Sequence, residues 1–468
     1  MSAGTWSSQS THLLEQTRRR CARYLQSLEH RPVCPDAAAL AKLQRLDEPL
    51  PAGPSAAEDT LALLDEIVSP ATMAMAGPRF FGFVIGGSLP AALAANWLAG
   101  VWDQNAAFAA PTPGVARLEQ IALRWLLELF DLPADAAGGF VTGATMANFT
   151  ALAAARHAVL ASAGWNVEAD GLFGAPPITV IVGEEAHPSL LKALGMLGLG
   201  RRRITRVAVD DQGRMRPDAL PSIAGPSILC LQAGNVNSGA CDPFEALIDV
   251  GHRRKAWVHI DAAFGLWAKV SERHRALLAG VEAADSWATD AHKWLNVPYD
   301  SGVALVRDAR ALRSAMAVTA EYLPSSGAER NPCDYTPELS RRARGVEVWA
   351  ALHSLGRLGL VELVQRNCAQ AREFAARLAA AGYTVLNEVV LNQVLVSFGD
   401  AERTRRVVAA LQAEGTCWCG ITVWQGRTAM RISISNWSTR DSDVERSVAA
   451  MLRLARAEGV AADKDAAR

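Results

Sequence analysis

The chain has 468 residues, 50% hydrophobic and 20% charged, so it is long enough to bury a large core and to divide into two or three domains. Its 47 lysine and arginine residues balance 48 aspartate and glutamate residues, which excludes the broad positive field that attracts nucleic acid or anionic membranes. No stretch is apolar for long enough to cross a bilayer, and the first fifty residues lack the apolar core of a signal peptide. We therefore expect a cytoplasmic protein whose partner is a small molecule, with no nucleic acid and no membrane.

The elements are predicted from the spacing of apolar residues and of proline. Helices with proline-rich breaks over residues 1–88 predict an N-terminal helical arm. Apolar helices at 93–102 and 115–130 then lead into short β-rich runs that alternate with helices, the pattern of a mainly parallel sheet in a large domain at 89–344. The seven runs are 139–142, 178–183, 204–209, 227–231, 257–260, 286–289 and 302–306.

The remaining residues, 345–468, are predicted to form a small C-terminal αβ domain. Helices are expected at 346–358 and 360–381, and strands near 394–398 and 430–435. The eight cysteines are scattered and form neither the paired spacing of a zinc site nor a disulfide framework, so we expect no metal.

Polar and reactive side chains follow the predicted strands where the chain leaves the sheet. In an open α/β sheet, ligands collect at the carboxyl ends of the strands, so these side chains are candidates for one shared site. They occur at residues 142–145, 185–187, 235–237, 261 and 290–293.

The first of these segments is a turn of small residues between a strand and a helix. The free N–H groups and the positive end of the helix would bind a phosphate, with the hydroxyl of Thr145 as an added donor. A plain helix cap without a ligand is the alternative.

Three further side chains have chemistry of their own. Asp261 ends an apolar strand, where a buried carboxylate is costly unless a cation such as a protonated ring nitrogen pairs with it. Lys293 follows another apolar strand, and a desolvated amine is suited to forming a Schiff base. His187 ends a third strand and could stack on a ring or protonate a substrate. The structural alternatives are a turn cap for Asp261, an amine that reaches solvent for Lys293, and a satisfied buried imidazole for His187.

Taken in order, these motifs resemble those of the group II pyridoxal-phosphate (PLP) decarboxylases, which include the aromatic-L-amino-acid and glutamate decarboxylases. The motifs are Thr-Gly-Ala-Thr-Met-Ala-Asn at 142–148, Ala-His at 186–187, the segment 233–243, His-Ile-Asp-Ala-Ala at 259–263 and His-Lys-Trp at 292–294. The resemblance extends over residues 77–433. It implies an α/β protein of PLP-dependent transferase fold type I (aspartate aminotransferase-like), with a mainly parallel seven-stranded sheet and helices on both faces. It also implies a homodimer with active sites at the subunit interface.

The resemblance assigns roles to individual residues of this chain. Lys293 matches the Schiff-base lysine, Asp261 the partner of the ring nitrogen, Ala263 the residue beneath the ring and His187 the stacking histidine. The other predicted contacts of pyridoxal 5'-phosphate are Gly143, Ala144, Thr145, Asn235 and His292.

The predicted proton donor is a loop tyrosine, as in the family. Tyr335 is the first choice because residues 324–341 have no apolar periodicity and are typical of a mobile lid, and Tyr322 is the second choice. The substrate pocket is expected to be formed by Phe83, Val84, Asn105 and Phe108, the last two from the partner subunit.

The function implied is decarboxylation of an L-amino acid, an aromatic one favoured, to the amine and CO2. The alternatives are a decarboxylase of acidic or diamino acids, a decarboxylating aldehyde synthase, a carbon–carbon lyase and an inactive binding homologue. The chain departs from the family at three positions: Met146 stands where an acid is frequent, Asn235 where threonine is usual and Asp290 where asparagine is common.

Overall fold

A computed structural model describes residues 3–318 and 330–466. The chain begins with the predicted helical arm, which contains three helices: α1 (Ala3–Ser27), α2 (Ala37–Lys42) and α3 (Ala57–Leu63). The side chain of Asp36 caps α2 by accepting the Ala39 N–H at 2.7 Å. Within the described ranges, no helix is long and apolar enough to span a membrane.

The large domain is built on one seven-stranded sheet of order β1-β7-β6-β5-β4-β2-β3. Its strands are β1 (Ala137–Val141), β2 (Thr179–Gly183), β3 (Thr205–Val207), β4 (Ser227–Gln232), β5 (Trp257–Asp261), β6 (Ser286–Asp290) and β7 (Gly302–Val306). All seven predicted strands are confirmed. Only β7 runs antiparallel to its two neighbours, β1 and β6, so the sheet is mainly parallel.

Helices cover both faces of this sheet. Alternate residues of β4 pack into different clusters: Leu229 and Leu231 lie with the side chains of α5 and α9, whereas Ile228 and Cys230 lie with those of α6 and α8. The helices of the large domain are α4 (Pro90–Trp102), α5 (Pro113–Leu129), α6 (Ala144–Ala161), α7 (Val167–Asp170), α8 (Pro188–Met196), α9 (Phe244–Arg253), α10 (Glu272–Arg275) and α11 (Ala309–Met316).

The C-terminal part forms a second, antiparallel sheet of order β10-β11-β9-β8. It follows the long helix α12 (Gly345–Ala380), which is interrupted at Gly356 (φ 57°), three residues before the break predicted at 359. The other elements are β8 (Thr384–Val385), β9 (Gln393–Ser397), α13 (Ala401–Glu414), β10 (Gly420–Trp424), β11 (Arg427–Ser433) and α14 (Asp441–Ala466). The strands β9 and β11 were predicted, whereas β8 and β10 were not.

A segment assigned to the N-terminal arm, residues 79–88, contacts both later domains. Its Phe81 N–H donates to the Trp418 carbonyl at 2.8 Å, and the Phe81 carbonyl accepts the Ser433 N–H at 2.9 Å. Further along, the Gly87 N–H donates to Asn296 Oδ1 at 2.6 Å. The end of the predicted arm is therefore bonded to both later domains.

Candidate active site

The site begins where β1, β6 and β7 meet. Gly302 starts β7 beside Gly143, the residue that precedes α6, and a Cβ added to Gly302 would lie 2.4 Å from the Gly143 Cα. No side chain fits that gap, so glycine at 302 permits the close approach. As a result, the N-terminus of α6 lies directly beside the segment that follows β6.

Asp290, the last residue of β6, is the centre of a buried cluster of donors. One of its oxygens, Oδ1, accepts the Ala144 N–H at 2.6 Å and lies 3.5 Å from His292 Nε2. The other, Oδ2, lies 3.1 Å from Lys293 Nζ. The predicted anchor and the predicted phosphate contacts are thus brought together around one carboxylate.

His292 is held between two neighbours of the same loop. Its Nδ1 accepts the Ser301 N–H at 3.2 Å, and its ring stacks on Tyr299 with 4.2 Å between centroids. Burial lowers the pKa of His292, opposed by the nearby Asp290 carboxylate. The ring therefore presents a neutral Nε2–H donor toward the α6 N-terminus.

Asp261 ends β5, one strand away from Asp290, and is only 3% exposed. Its Oδ2 is buried and has no hydrogen-bond partner among the described residues. Burial raises the pKa of Asp261, and the charges of His187 and Lys293 lower it. An unpaired buried carboxylate needs a cationic donor, and a protonated ring nitrogen is one.

His187 lies at the start of α8 and serves as its cap. Its Nδ1 accepts the Ser189 N–H at 3.2 Å and lies 2.7 Å from the Ser189 hydroxyl. Burial lowers the pKa of His187, Asp261 opposes this, and the charges of Lys293 and Arg431 lower it further. Because Nδ1 is an acceptor, the neutral ring carries its hydrogen on Nε2.

Arg431 of β11 is a functional candidate that the sequence predictions did not include. Burial lowers the pKa of its guanidinium, and no hydrogen bond or ion pair involves it within the described part of the chain. The charge of Arg431 lowers the pKa of His187, so Arg431 lies near the site. An unpaired, largely buried cation there is suited to a carboxylate ligand.

Two predicted cofactor residues have different surroundings. Ala263 lies two residues after Asp261 and is half-buried. Asn235, in contrast, is fully engaged with protein: its Nδ2 donates to Glu185 Oε2 at 2.9 Å, and its Oδ1 accepts the Asn237 N–H at 2.8 Å. The same Glu185 oxygen accepts the indole N–H of Trp424 at 2.9 Å, so Asn235 takes part in joining the two sheets.

Tyr335 is not brought to Lys293 by any contact of the described residues. It ends a short turn, Pro332–Tyr335, and its ring lies 4.1 Å from the Arg330 guanidinium. Farther on, the buried Arg341 donates to Glu119 Oε2 at 2.7 Å and to the Phe140 carbonyl at 2.8 Å. The part of the predicted lid that the structure describes, 330–341, is therefore packed against the domain. Buried polar contacts hold it there, and such contacts leave no apolar periodicity in the sequence. Tyr322 lies outside the described residues.

The four predicted pocket residues do not form one group. Phe83 is 57% exposed and stacks on Trp418 at 5.2 Å, which in turn stacks on Phe80 at 5.0 Å. Val84 is instead buried in the main core.

The other two pocket residues, Asn105 and Phe108, lie beside the packed segment described above. Asn105 Oδ1 accepts the Arg341 N–H at 3.0 Å, and Phe108 is half-buried. Phe83 and Val84, but not the other two, lie on a segment that reaches the site, because a Cβ on the nearby Gly86 would overlap the Lys293 carbonyl.

Comparison with known proteins identifies the family. Residues 41–399 match the family model "Pyridoxal-dependent decarboxylase conserved domain", which is most of the chain. The chain belongs to this decarboxylase family. Its fold is PLP-dependent transferase fold type I, and its cofactor is pyridoxal 5'-phosphate.

Individual relatives of this pyridoxal-dependent decarboxylase differ in their substrates. An aromatic-L-amino-acid decarboxylase of Bacillus atrophaeus is 28% identical over 370 residues, covering 76% of this chain and 75% of that protein. An L-2,4-diaminobutyrate decarboxylase of Rhizobium meliloti (strain 1021) is 30% identical over 376 residues, covering 76% and 72%. The crystal structure of Oryza sativa TDC with PLP and tryptamine has a TM-score of 0.88 at 23% identity, covering 97% of this chain and 99% of that one.

The residues of this decarboxylase fit its cofactor at both ends. The orphaned Asp261 oxygen suits the ring nitrogen, and the α6 N-terminus with His292 suits the phosphate. The departure at Asp290 alters this fit, because its carboxylate takes the Ala144 N–H that a phosphate would use.

We therefore expect Asp290→Asn to bind the cofactor more tightly, with a dissociation constant lower by roughly tenfold or more. The reason is that the negative carboxylate of Asp290 would no longer lie beside the negative phosphate of the cofactor. Titration of the apoprotein with pyridoxal phosphate, followed by visible absorbance, measures this. Asp249→Asn, which removes an exposed charge on α9, is the control. Weaker binding by Asp290→Asn would mean that the carboxylate supports the site instead.

Proposed function

We propose that this chain converts an L-amino acid, with an aromatic one favoured, to its amine and CO2. The single observation that carries the proposal is the position of Lys293, which follows β6 and contacts Asp290, together with the unsatisfied Asp261 carboxylate at the end of the adjacent strand β5. These are the two groups that bind an aldehyde carbon and the ring nitrogen of one cofactor.

Each residue has a task that follows from its surroundings. The bound cofactor supplies an electron sink for the pair of electrons left when CO2 departs. Lys293 would hold the aldehyde carbon through its amine, and Asp261 would supply the negative charge that keeps the ring nitrogen protonated. The neutral His187, with its Nε2–H, would lie against the ring and orient the substrate.

Arg431 is proposed to bind the substrate carboxylate. It is an unpaired guanidinium close to His187, and bidentate bonds to a carboxylate would compensate for its burial. A fixed carboxylate can be held with its bond to the α-carbon perpendicular to the ring, which selects that bond for cleavage.

We expect Arg431→Gln to raise KM by roughly ten- to a hundredfold, because a charge-assisted pair is lost while the glutamine retains hydrogen bonding. Steady-state kinetics of CO2 release measure this, and cofactor absorbance should stay unchanged. Arg427→Gln, at the exposed start of the same strand, is the matched control. An unchanged KM in Arg431→Gln would remove this arginine from substrate binding.

The aromatic preference rests on the stack formed by Phe80, Trp418 and Phe83. The exposed Phe83 ring lies at the surface of a segment that touches the Lys293 backbone, so it offers an apolar face for a flat side chain. Decarboxylation of acidic or diamino acids is the second candidate, supported by Arg431 and by the relative that acts on L-2,4-diaminobutyrate.

A panel of L-amino acids assayed for CO2 release tests the proposal and separates its substrates. Tryptophan, tyrosine and phenylalanine are expected to turn over faster than glutamate, aspartate and 2,4-diaminobutyrate. The reverse order would overturn the aromatic preference, and no turnover of any member would overturn the decarboxylase proposal.

The same assay, with amine and aldehyde quantified, distinguishes a decarboxylase from an aldehyde synthase. It also compares the two candidate proton donors through Tyr322→Phe and Tyr335→Phe. Aldehyde that rises only in Tyr322→Phe would assign the proton donor to Tyr322, and a rise only in Tyr335→Phe would restore the first choice made from the sequence.

The homodimer is part of the proposal. The helix α4 exposes an apolar face at Trp97, Leu98, Val101 and Trp102, and such a face is suited to burial against a second copy. Light scattering after size exclusion would measure the mass. The cytoplasmic location expected from the sequence stays a prediction.

A further inference from the structure

Four buried polar side chains form a connected series that includes His259, two residues before Asp261 on β5. The indole N–H of Trp257 donates to Ser286 Oγ at 2.8 Å, and Ser286 Oγ lies 2.9 Å from His259 Nδ1. At the other side of the same ring, His259 Nε2 lies 2.8 Å from Asn148 Oδ1. Ser286, His259 and Asn148 are each 0% exposed, so no bulk water competes for these bonds.

The direction of the hydrogens in this series follows from its last member. Asn148 Oδ1 can only accept, so His259 Nε2 carries the ring hydrogen and donates it. Nδ1 of the neutral ring is then an acceptor, and Ser286 Oγ, which accepts the indole N–H, donates its own hydrogen to Nδ1. Burial lowers the pKa of His259 to about 3, so the ring is neutral and only one of its nitrogens carries a hydrogen.

The series ends at two atoms that the described structure leaves unsatisfied. With its oxygen turned to His259, Asn148 has only its Nδ2 hydrogens left to donate, and Nδ2 is buried without a partner. Asp261 Oδ2 is a buried acceptor without a partner. The two groups interact: burial raises the pKa of Asp261, and Asn148 is among the neighbours that lower it, beside His187 and Lys293, while Asp290 raises it.

We propose that Asn148 is a positioning residue for Asp261, turned by the Trp257–Ser286–His259 series so that its amide hydrogens face the carboxylate and hold it in the charged form. The charged form is the one that pairs with the ring nitrogen. This inference rests on the role given to Asp261 in the proposed function, and it adds four residues to that role. An amide rotated by 180° would instead present its oxygen to the carboxylate, which is repulsive.

The first experiment uses the apoprotein and is independent of the cofactor. Nitrogen-15 NMR of histidine-labelled protein reports which ring nitrogen carries the hydrogen, with the His259 signals identified by their loss in His259→Gln. We expect the Nε2–H form in the wild type and a mixture of both forms in Ser286→Ala. An Nδ1–H form in the wild type would reverse the series and overturn the inference.

The second experiment measures the ring nitrogen itself, with ¹⁵N-labelled pyridoxal phosphate bound to the holoenzyme. In Asn148→Leu, which keeps the side-chain size and removes the donor, we expect the ring nitrogen to lose its proton at a lower pH than in the wild type. The cofactor dissociation constant should rise by about tenfold, the equivalent of one hydrogen bond to a charged group.

Two tryptophans give a matched comparison. Trp257→Phe removes the donor that starts the series, whereas Trp287→Phe removes another buried indole bond, to the Val281 carbonyl at 2.8 Å, outside the series. We expect the ¹⁵N chemical shift of the cofactor ring nitrogen to change in Trp257→Phe in the same direction as in Asn148→Leu. In Trp287→Phe we expect it to stay as in the wild type. Equal behaviour of the two variants, or an Asn148→Leu ring nitrogen like that of the wild type, would overturn the inference. If the cofactor did not attach to Lys293 at all, the proposed function would fail, and the apoprotein histidine result would still stand.

Discussion

Replacing Lys293 by alanine is expected to lower kcat/KM for CO2 release by at least roughly a thousandfold, because the group that holds and exchanges the cofactor aldehyde is gone. The side chain is 17% exposed, and its amine lies 3.1 Å from Asp290 Oδ2. Borohydride reduction of the holoenzyme followed by peptide mapping should find the pyridoxyl label on Lys293.

Lys192→Ala is the matched control for this prediction. Lys192 is exposed on α8, the helix that His187 caps, and we expect its loss to leave both the label and the activity unchanged. A pyridoxyl label on Lys192 or on any lysine other than Lys293 would contradict the assignment of the anchor.

Replacing Asp261 by asparagine is expected to lower kcat by roughly a hundred- to a thousandfold, the range seen when one preorganised electrostatic partner is removed. The amide keeps the size of the side chain but no longer supplies the negative charge that keeps a ring nitrogen protonated. The ¹⁵N shift of the bound cofactor, measured together with single-turnover CO2 release, would show both effects.

Asp285→Asn provides the comparison at the opposite edge of the same sheet. Asp285 Oδ2 accepts the Val258 N–H at 2.7 Å at the start of β6, far along the strand from the site. We expect this variant to lose stability but to keep its kcat. If Asp261→Asn retained the ring-nitrogen proton and near wild-type kcat, the role given to Asp261 would be wrong.

Much of the large domain was predictable because most of its strands are short apolar runs that are buried on both faces and followed by polar residues. The run ending at Asp261 and the run ending at Asp290 were recognised in this way, and their alignment in the sheet explains why Lys293 lies beside the predicted phosphate site. Because these strand ends lie at the same edge of the sheet, polar residues that are far apart in the sequence form one site.

The features that were missed depend on contacts between distant parts of the chain. Asn148 and His259 are 111 residues apart and have no local signal that pairs them. Arg431 lies inside a strand, where a charged residue by itself predicts only a solvent-facing position. The strand β10 alternates between exposed and half-buried residues, so it lacks the apolar run that identified the others.

The antiparallel direction of β7 has a consequence for how firmly Lys293 is held. Because β6 ends and β7 begins at the same edge of the sheet, the chain returns through residues 291–301 without a crossover helix, and Asp290 faces Gly302 in register. Lys293 therefore lies in a connection whose two ends both continue into neighbouring, hydrogen-bonded strands. Moving this connection away from the sheet would require β6 and β7 to separate. We expect the amide hydrogens where the connection joins these strands to exchange with solvent as slowly as those of the sheet interior.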